Sequence, residues 1–359
     1  MKNKLFSIAT ILIVIFLSSC GGTPTEIPTQ EPTATISEDL PEVTPTSEPI
    51  KYDEVTLKIN SSPLTSFAPI FIAEAEGYFA EFGIKLENLT FNKSTDAVPL
   101  IITGDLDLYA GSINAGILNV LRQEANIKVV ADRGHITPDD TCTYQGLLVR
   151  KDLYDSGEVK SAADLAGLTI VSTSSGISGY LLSSYLAPAG LTLDDVVLTD
   201  LPTAGYLDAM ANKSVAAILV PELHLSRILN AGNAVILVGG EDAIAPMQLG
   251  FMSFGKNLLV DHPDLGARFM AGYLKGVQQY NLGKTERNVQ IMADATGETI
   301  ETLQAACWIS INSDGFIDFS GIDGFQQWSI AQEQLEAPVT EDQFWDSSFL
   351  AAAEALINP

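Results

Sequence analysis

The chain has 359 residues, of which 46% are hydrophobic and 18% charged, and its formal net charge at pH 7 is −26. That excess of acid disfavours nucleic acid and anionic membrane surfaces as partners. Three cysteines and three histidines without close Cys/His spacing argue against a zinc centre, and neither metal nor cofactor is expected.

The chain opens as an export signal. Lys2 and Lys4 form a short basic start, Leu5 to Leu17 is an apolar run, and small residues follow. The run is shorter than the roughly 20 apolar residues a membrane-spanning helix needs. Leu17-Ser18-Ser19-Cys20 resembles the bacterial lipobox. That resemblance implies cleavage of residues 1–19 and a diacylglycerol on the Cys20 thiol. Residues 20–52 read as a tether: prolines recur at Pro24, Pro28, Pro32, Pro41, Pro45 and Pro49 among Thr, Ser and Glu. Such a segment buries too little apolar surface to fold and stays extended.

From Asp53 onward short β-branched runs alternate with helical patterns, the signature of α/β architecture. Strands are predicted at Val55–Ile59, Lys85–Phe91, Leu106–Ala110 and Ile127–Asp132, and helices at Ala68–Phe79, Thr95–Ile102 and Asn114–Glu124. A second series follows, with strands at Gly146–Arg150, Thr169–Ser172, Val196–Leu201, Val215–Val220 and Ala234–Val238. Helices start near Ser161, Gly176, Thr203 and Glu222. One more strand, Leu249–Phe254, precedes a mostly helical end that includes Pro263–Tyr280, Asn288–Ala295 and Ile300–Ala306. The pattern predicts two lobes, residues 53–148 plus 241–359 and residues 149–240, with crossings near Leu147–Arg150 and Val238–Gly240. Cys142 and Cys307 are far apart in sequence, and spacing leaves open whether they pair.

Several segments together resemble one family. Gly77-Tyr78-Phe79 with Gly83-Ile84, Gly104-Asp105-Leu106-Asp107-Leu108, Gly111-Ser112, Ala163-Asp164-Leu165-Ala166-Gly167, Val220-Pro221-Glu222 and Asp261-His262-Pro263-Asp264 occur in that order. They are similar to the substrate-binding proteins of the sulfonate, nitrate and thiamine-pyrimidine (NMT1/THI5-like) group. The resemblance spans Val55 to Asn358. It implies a type II periplasmic-binding-protein fold: two α/β lobes, a two-crossing hinge and a helical C-terminal tail. It further implies a monomeric, lipid-anchored extracytoplasmic receptor that hands a small molecule to a membrane permease and its ATPase; the alternative is a lipid-anchored sensor that signals to a membrane partner without transport. One departure stands out: Ser214-Val215-Ala216-Ala217-Ile218 lacks the aspartate usual in that strand.

In an open α/β lobe, ligands sit beyond the carboxyl ends of the strands, where helix N-termini offer backbone N–H groups. Four turns qualify. Ser66 and Phe67 lie after the first strand, with Ser66 either a helix cap or a ligand contact. Ser112 and Asn114 follow Leu106–Ala110. The turn Ser172 to Tyr180 supplies Thr173, Ser174, Ser175, Gly176, Ser178 and Tyr180, more hydroxyls than capping requires. Glu222 is either a ligand acceptor or an exposed helix-start carboxylate. None of these turns carries Arg or Lys, and Arg133 and Arg150 are near them in sequence only. Hydroxyls, amides and aromatic faces suit a neutral heterocycle, by resemblance a thiamine-type pyrimidine or a flavin, ahead of sulfonates or nitrate.

Enzymatic readings fare worse. Gly176-Ile177-Ser178-Gly179 lacks the spacing of a hydrolase nucleophile elbow. A biosynthetic branch of the same family carries a cysteine-rich motif that this chain lacks. No catalytic residue is expected. A Cys20→Ser chain should leave the membrane fraction and lose the mass of a lipid adduct; fractionation and mass spectrometry of the mature protein check this, and unchanged membrane retention would dispose of the anchor.

Overall fold

The computed structural model describes residues 51–91, 94–123 and 126–358. The export signal, Cys20 and all but the last two residues of the tether lie outside them. Among the described residues no helix is long and apolar enough to cross a membrane.

The chain first lays down β1 (Val55–Ser61), α1 (Ala68–Ala75), α2 (Tyr78–Glu81), β2 (Ile84–Thr90), α3 (Val98–Thr103), β3 (Leu108–Ser112), α4 (Ala115–Gln123) and β4 (Lys128–Ile136). It then crosses to β5 (Gln145–Arg150), α5 (Lys151–Ser156), β6 (Thr169–Val171), α6 (Gly176–Leu186), β7 (Val197–Thr199), α7 (Tyr206–Ala211), β8 (Ala217–Pro221), α8 (His224–Asn230), β9 (Ala234–Gly239) and α9 (Gly240–Ala243). A second crossing returns it to β10 (Met247–Phe254). The helical end comprises α10 (Pro263–Tyr280), α11 (Glu286–Thr296), α12 (Ile300–Ala305), α13 (Asp323–Ala331), α14 (Glu341–Phe344) and α15 (Ser348–Ile357).

Two five-stranded sheets result, in the orders β2-β1-β3-β10-β4 and β7-β6-β8-β5-β9. In the first, β1 pairs parallel with β2 and β3, while β10 runs antiparallel between β3 and β4. In the second, β6 pairs parallel with β7 and β8, and β5 runs antiparallel to β8 and β9. Every residue of β10 is buried, as befits a central strand covered on both faces. The first crossing differs from expectation. β5 pairs with the second sheet from Gln145 onward, so the chain changes lobe within residues 137–144, before Leu147. An apolar run reads alike in either sheet; only the pairing decides which lobe owns it.

The long helix predicted at Ala68–Phe79 is divided into α1 and α2 because Gly77 takes φ of +76°, a left-handed conformation that ends an α-helix. α10 matches its predicted limits, started by Pro263 and carrying its apolar face onto the first sheet. It lies against α1 closely enough that a Cβ on Gly276 would collide with the Pro69 carbonyl oxygen. Stacked rings of Phe79 and Phe269, with centroids 5.1 Å apart, continue that contact.

The helical tail also touches the second lobe. Tyr180 of α6 packs edge-on to Phe325 and beside Trp328 of α13. Cys142, in the first crossing, is disulfide-bonded to Cys307, in the tail. The bridge spans 165 residues of chain and removes loop-closure entropy from the unfolded state, an effect of roughly 2–4 kcal/mol for typical disulfides. Replacing both cysteines by Ser should therefore lower the melting temperature by roughly 5–10 °C in differential scanning calorimetry. An unchanged melting temperature would show that the tail is held without it.

Candidate functional site

The ends of β1, β3, β6, β7 and β8 face a common cleft with a volume of about 660 Å³. From the first lobe come Ser66 and Phe67 after β1, and Ser112 and Asn114 after β3; from the second come Thr173, Ser175, Gly176 and Ser178 before and within α6. These predicted residues are brought together although residues 115–172 lie between the two groups in sequence. Phe91, Tyr144, Gln145, Thr203, His224 and Arg227 join them.

Local chemistry explains each placement. The Asn114 carboxamide accepts from the Ile117 N–H at 3.0 Å and donates to the Ser112 carbonyl at 3.0 Å, which fixes the turn into α4. Asn60, at the end of β1, exchanges hydrogen bonds of 2.7 and 2.8 Å with the Ala110 backbone and so joins two strand ends under the cleft. The Thr173 hydroxyl donates to the Ser175 carbonyl at 2.7 Å. Ser175 stands at the N-cap of α6 in extended conformation, yet no side chain caps the helix. Capping by at least one of the hydroxyls in this turn was the plain expectation. Instead the first N–H groups of α6 are left to the cleft and solvent, where they suit an acceptor.

Three predicted residues lie elsewhere. Ser174 is turned toward the tail, its carbonyl accepting from Gln334 Nε2 at 3.0 Å. Tyr180 is enclosed by Phe325 and Trp328. Glu222 is buried, and its carboxylate accepts from the Ser226 N–H, the Ser226 hydroxyl and the Cys307 N–H at 2.8 to 3.1 Å. Burial pushes its pKa up, against those hydrogen bonds. None of the three lines the cleft.

Arg133, in β4, does line it, which revises the expectation of a cleft without a basic side chain. The residue is only 2% exposed. Its Nη1 donates to Ser66 Oγ at 2.7 Å and its Nη2 to the Gly111 carbonyl at 2.8 Å. The guanidinium lies over the Phe67 ring, 4.3 Å from the centroid, a cation–π contact. Nε has no hydrogen-bond partner, and no ion pair reaches the group among the described residues. Burial lowers the Arg133 pKa, opposed by nearby tyrosines and Asp132. The sequence did hold one signal for it: Asp132-Arg133 interrupts a buried apolar strand, and buried charges need a reason.

Asp132 is engaged away from Arg133. Its carboxylate accepts from Gly134 N, His135 Nδ1, Gln248 Nε2 and Asn312 N at 2.7 to 2.9 Å. At the other rim, Arg227 pairs with Glu298 of the tail, and burial, then Arg227, lowers the pKa of His224. Among the described residues no Asp or Glu lines the cleft, despite the chain's large negative charge.

A family model described as NMT1/THI5 like matches residues 64–281. The chain belongs to the NMT1/THI5-like family. It is similar to the riboflavin-binding protein RibY of Chloroflexus aurantiacus, 24% identical over 280 residues that cover 77% of this chain and 74% of RibY. Among solved structures it resembles the ligand-binding component of an ABC-type import system from Staphylococcus aureus, with zinc bound (TM-score 0.69, 18% identity, 84% of this chain and 99% of that one). The alkanesulfonate-binding protein SsuA of Xanthomonas axonopodis pv. citri, bound to MOPS, gives a TM-score of 0.65 at 16% identity, covering 82% and 99%. The desulfurization enzyme DSZB shares the fold as well, at a TM-score of 0.61 and 17% identity over 85% and 99%. The fold is that of periplasmic substrate-binding proteins, with two α/β lobes and a helical C-terminal region. No group of three or more potential metal ligands stands together among the described residues.

His135 gives this region a pH dependence. Burial lowers its pKa, but the hydrogen bond to Asp132 and the charges of Asp132 and Asp140 outweigh that, so it lies above 6.5. A histidine raised on folding stabilises the protein below the unfolded value and loses that contribution as pH rises through the folded one. The melting temperature of wild type should therefore exceed that of His135→Asn by more at about pH 6 than at about pH 8.5. An advantage that is equal at both, or larger at the higher pH, would contradict the pairing.

Proposed function

We propose that the protein is an extracytoplasmic solute receptor, lipid-anchored through Cys20, that binds a small heterocycle of flavin type in the cleft and delivers it to an ABC importer. The observation that carries this reading is the cleft itself: polar groups at strand ends of both sheets converge on one space, with Phe67, Phe91 and Tyr144 as aromatic surfaces. Its size falls in the usual range for organic ligands, roughly 300–1,000 Å³, and far exceeds what a nitrate ion needs. Likeness to RibY favours a flavin over a thiamine pyrimidine. Ser66, Phe67, Ser112, Asn114, Thr173, Ser175, Gly176 and Ser178 are the proposed contacts.

Contacts from both lobes would favour the closed arrangement by binding it better than the open one. The monomer is the expected working form, and permease and ATPase are its partners in transport. The fold is shared with the desulfurization enzyme DSZB, but the likeness to RibY and to import-system binding proteins favours a receptor. Arg133 favours one second reading, a receptor for sulfonates.

Riboflavin at 100 times its dissociation constant should stabilise the protein by about 2.7 kcal/mol and raise its melting temperature by roughly 5–10 °C. Small-angle scattering should show compaction in the same solution. A response to sulfonates alone would replace the heterocycle by the second reading, and no response to any solute would sink the receptor.

A further inference from the structure

Resting on the reading that the cleft binds the solute, we infer that Arg133 determines which edge of the ring is accepted: a planar edge of carbonyl oxygens, as in a dioxopyrimidine, and not an aminopyrimidine edge.

Arginine has five N–H donors and no acceptor. Two of those on Arg133 are committed, to Ser66 Oγ and the Gly111 carbonyl. Phe67 covers one face of the guanidinium, so its remaining capacity lies in the guanidinium plane, where donors meet the in-plane lone pairs of a flat ligand. The group is a buried cation without a carboxylate partner, and a ligand acceptor would offset part of its desolvation.

The rest of the cleft has the same polarity. α6, eleven residues long, presents an N-terminus without side-chain capping from the opposite lobe. No lining carboxylate is available among the described residues to accept from an exocyclic amino group or a protonated ring nitrogen. An aminopyrimidine edge would bring its exocyclic N–H donors against Arg133 and offer only ring nitrogens as acceptors. A dione edge offers acceptors on both sides of its single ring N–H, which a hydroxyl or the Asn114 carboxamide oxygen can take. The cleft is thus selective by hydrogen-bond polarity, a discrimination stronger than apolar fit alone gives. Cationic solutes are disfavoured for the same reason.

Isothermal titration of the purified full chain with riboflavin, lumichrome, the thiamine pyrimidine and taurine tests this. Riboflavin and lumichrome, which share the dione edge, should both bind, and the thiamine pyrimidine should bind at least about 10-fold more weakly. Arg133→Met should weaken riboflavin by roughly 10- to 100-fold, the range for a lost hydrogen bond to a charged group. Arg133→Lys should recover part of it, with melting temperatures confirming that each variant folds. Ser66→Ala, which frees one Arg133 donor from its buried partner, should change riboflavin affinity by a smaller factor, and it serves if Arg133→Met does not fold. Undiminished riboflavin affinity in Arg133→Met, no change in Ser66→Ala, or equal wild-type affinity for the thiamine pyrimidine would overturn the assignment while leaving a receptor. If wild type binds none of the four, the receptor for heterocycles or sulfonates falls, independently of any variant.

Discussion

The architecture depends on where β10 enters its sheet. It pairs antiparallel with β3 on one side and β4 on the other, so the first sheet cannot be completed until the chain has built the second lobe and come back. β3 and β4 are neighbours in sequence but not in the sheet. That constraint produces two crossings, residues 137–144 outward and the return after α9. It also puts the open ends of both sheets toward one space, because the parallel strands of each lobe end there. The cleft is a consequence of topology before any side chain is considered.

The return strand also sets the electrostatics. Gln248 of β10 donates to the Asp132 carboxylate at 2.8 Å and to the Gly250 carbonyl at 2.6 Å, while Tyr273 of α10 donates to the Asp132 backbone carbonyl at 2.6 Å. Asp132 is thereby saturated with donors on its own side of β4. The register of β4 against β10 shifts at Arg133, between Asp132 and Gly134, and Arg133 lines the cleft while the acid beside it is held away. Two neighbouring charges that might have cancelled are kept apart, Asp132 with His135 and neutral donors, Arg133 with neutral acceptors. A buried ion pair would have been the commoner arrangement; the separation is what leaves a donor-rich group for a solute.

Much of this was legible in the sequence, for reasons that can be named. α10 was readable end to end because Pro263 and an apolar helical period mark it locally. The turn around Gly176 was readable because hydroxyls and glycines cluster between a β-branched run and a helix. What failed depended on distant partners. Glu222 reads as a ligand acceptor or an exposed helix-start carboxylate, but its oxygens are filled by Ser226 and by the Cys307 N–H, 85 residues away. Tyr180 looked like a pocket aromatic until α13 covered it. Arg133 was set aside because it lies outside every strand-to-helix turn, and only the sheet order carries β4 to the cleft. The pairing of Cys142 with Cys307 needed three-dimensional proximity that spacing cannot supply.

The tail ties these observations to motion. It belongs with the first lobe through α10 and α15, yet it is tied to the first crossing through Cys307 on Cys142 and to the second lobe through the Cys307 N–H on Glu222, Glu298 on Arg227 and the α13 aromatics on Tyr180. A hinge of two short segments would leave the lobes free to swing. In any swing of the lobes these contacts would keep the tail side together while the cleft side opens. Arg227 is shared between the two roles, since it lines the cleft and is paired to the tail. An acceptor on the solute would compete with Glu298 for it, so occupancy of the cleft would be felt at one of the tail's own attachments. Differential contacts of this kind are what a solute needs in order to shift the balance between open and closed forms.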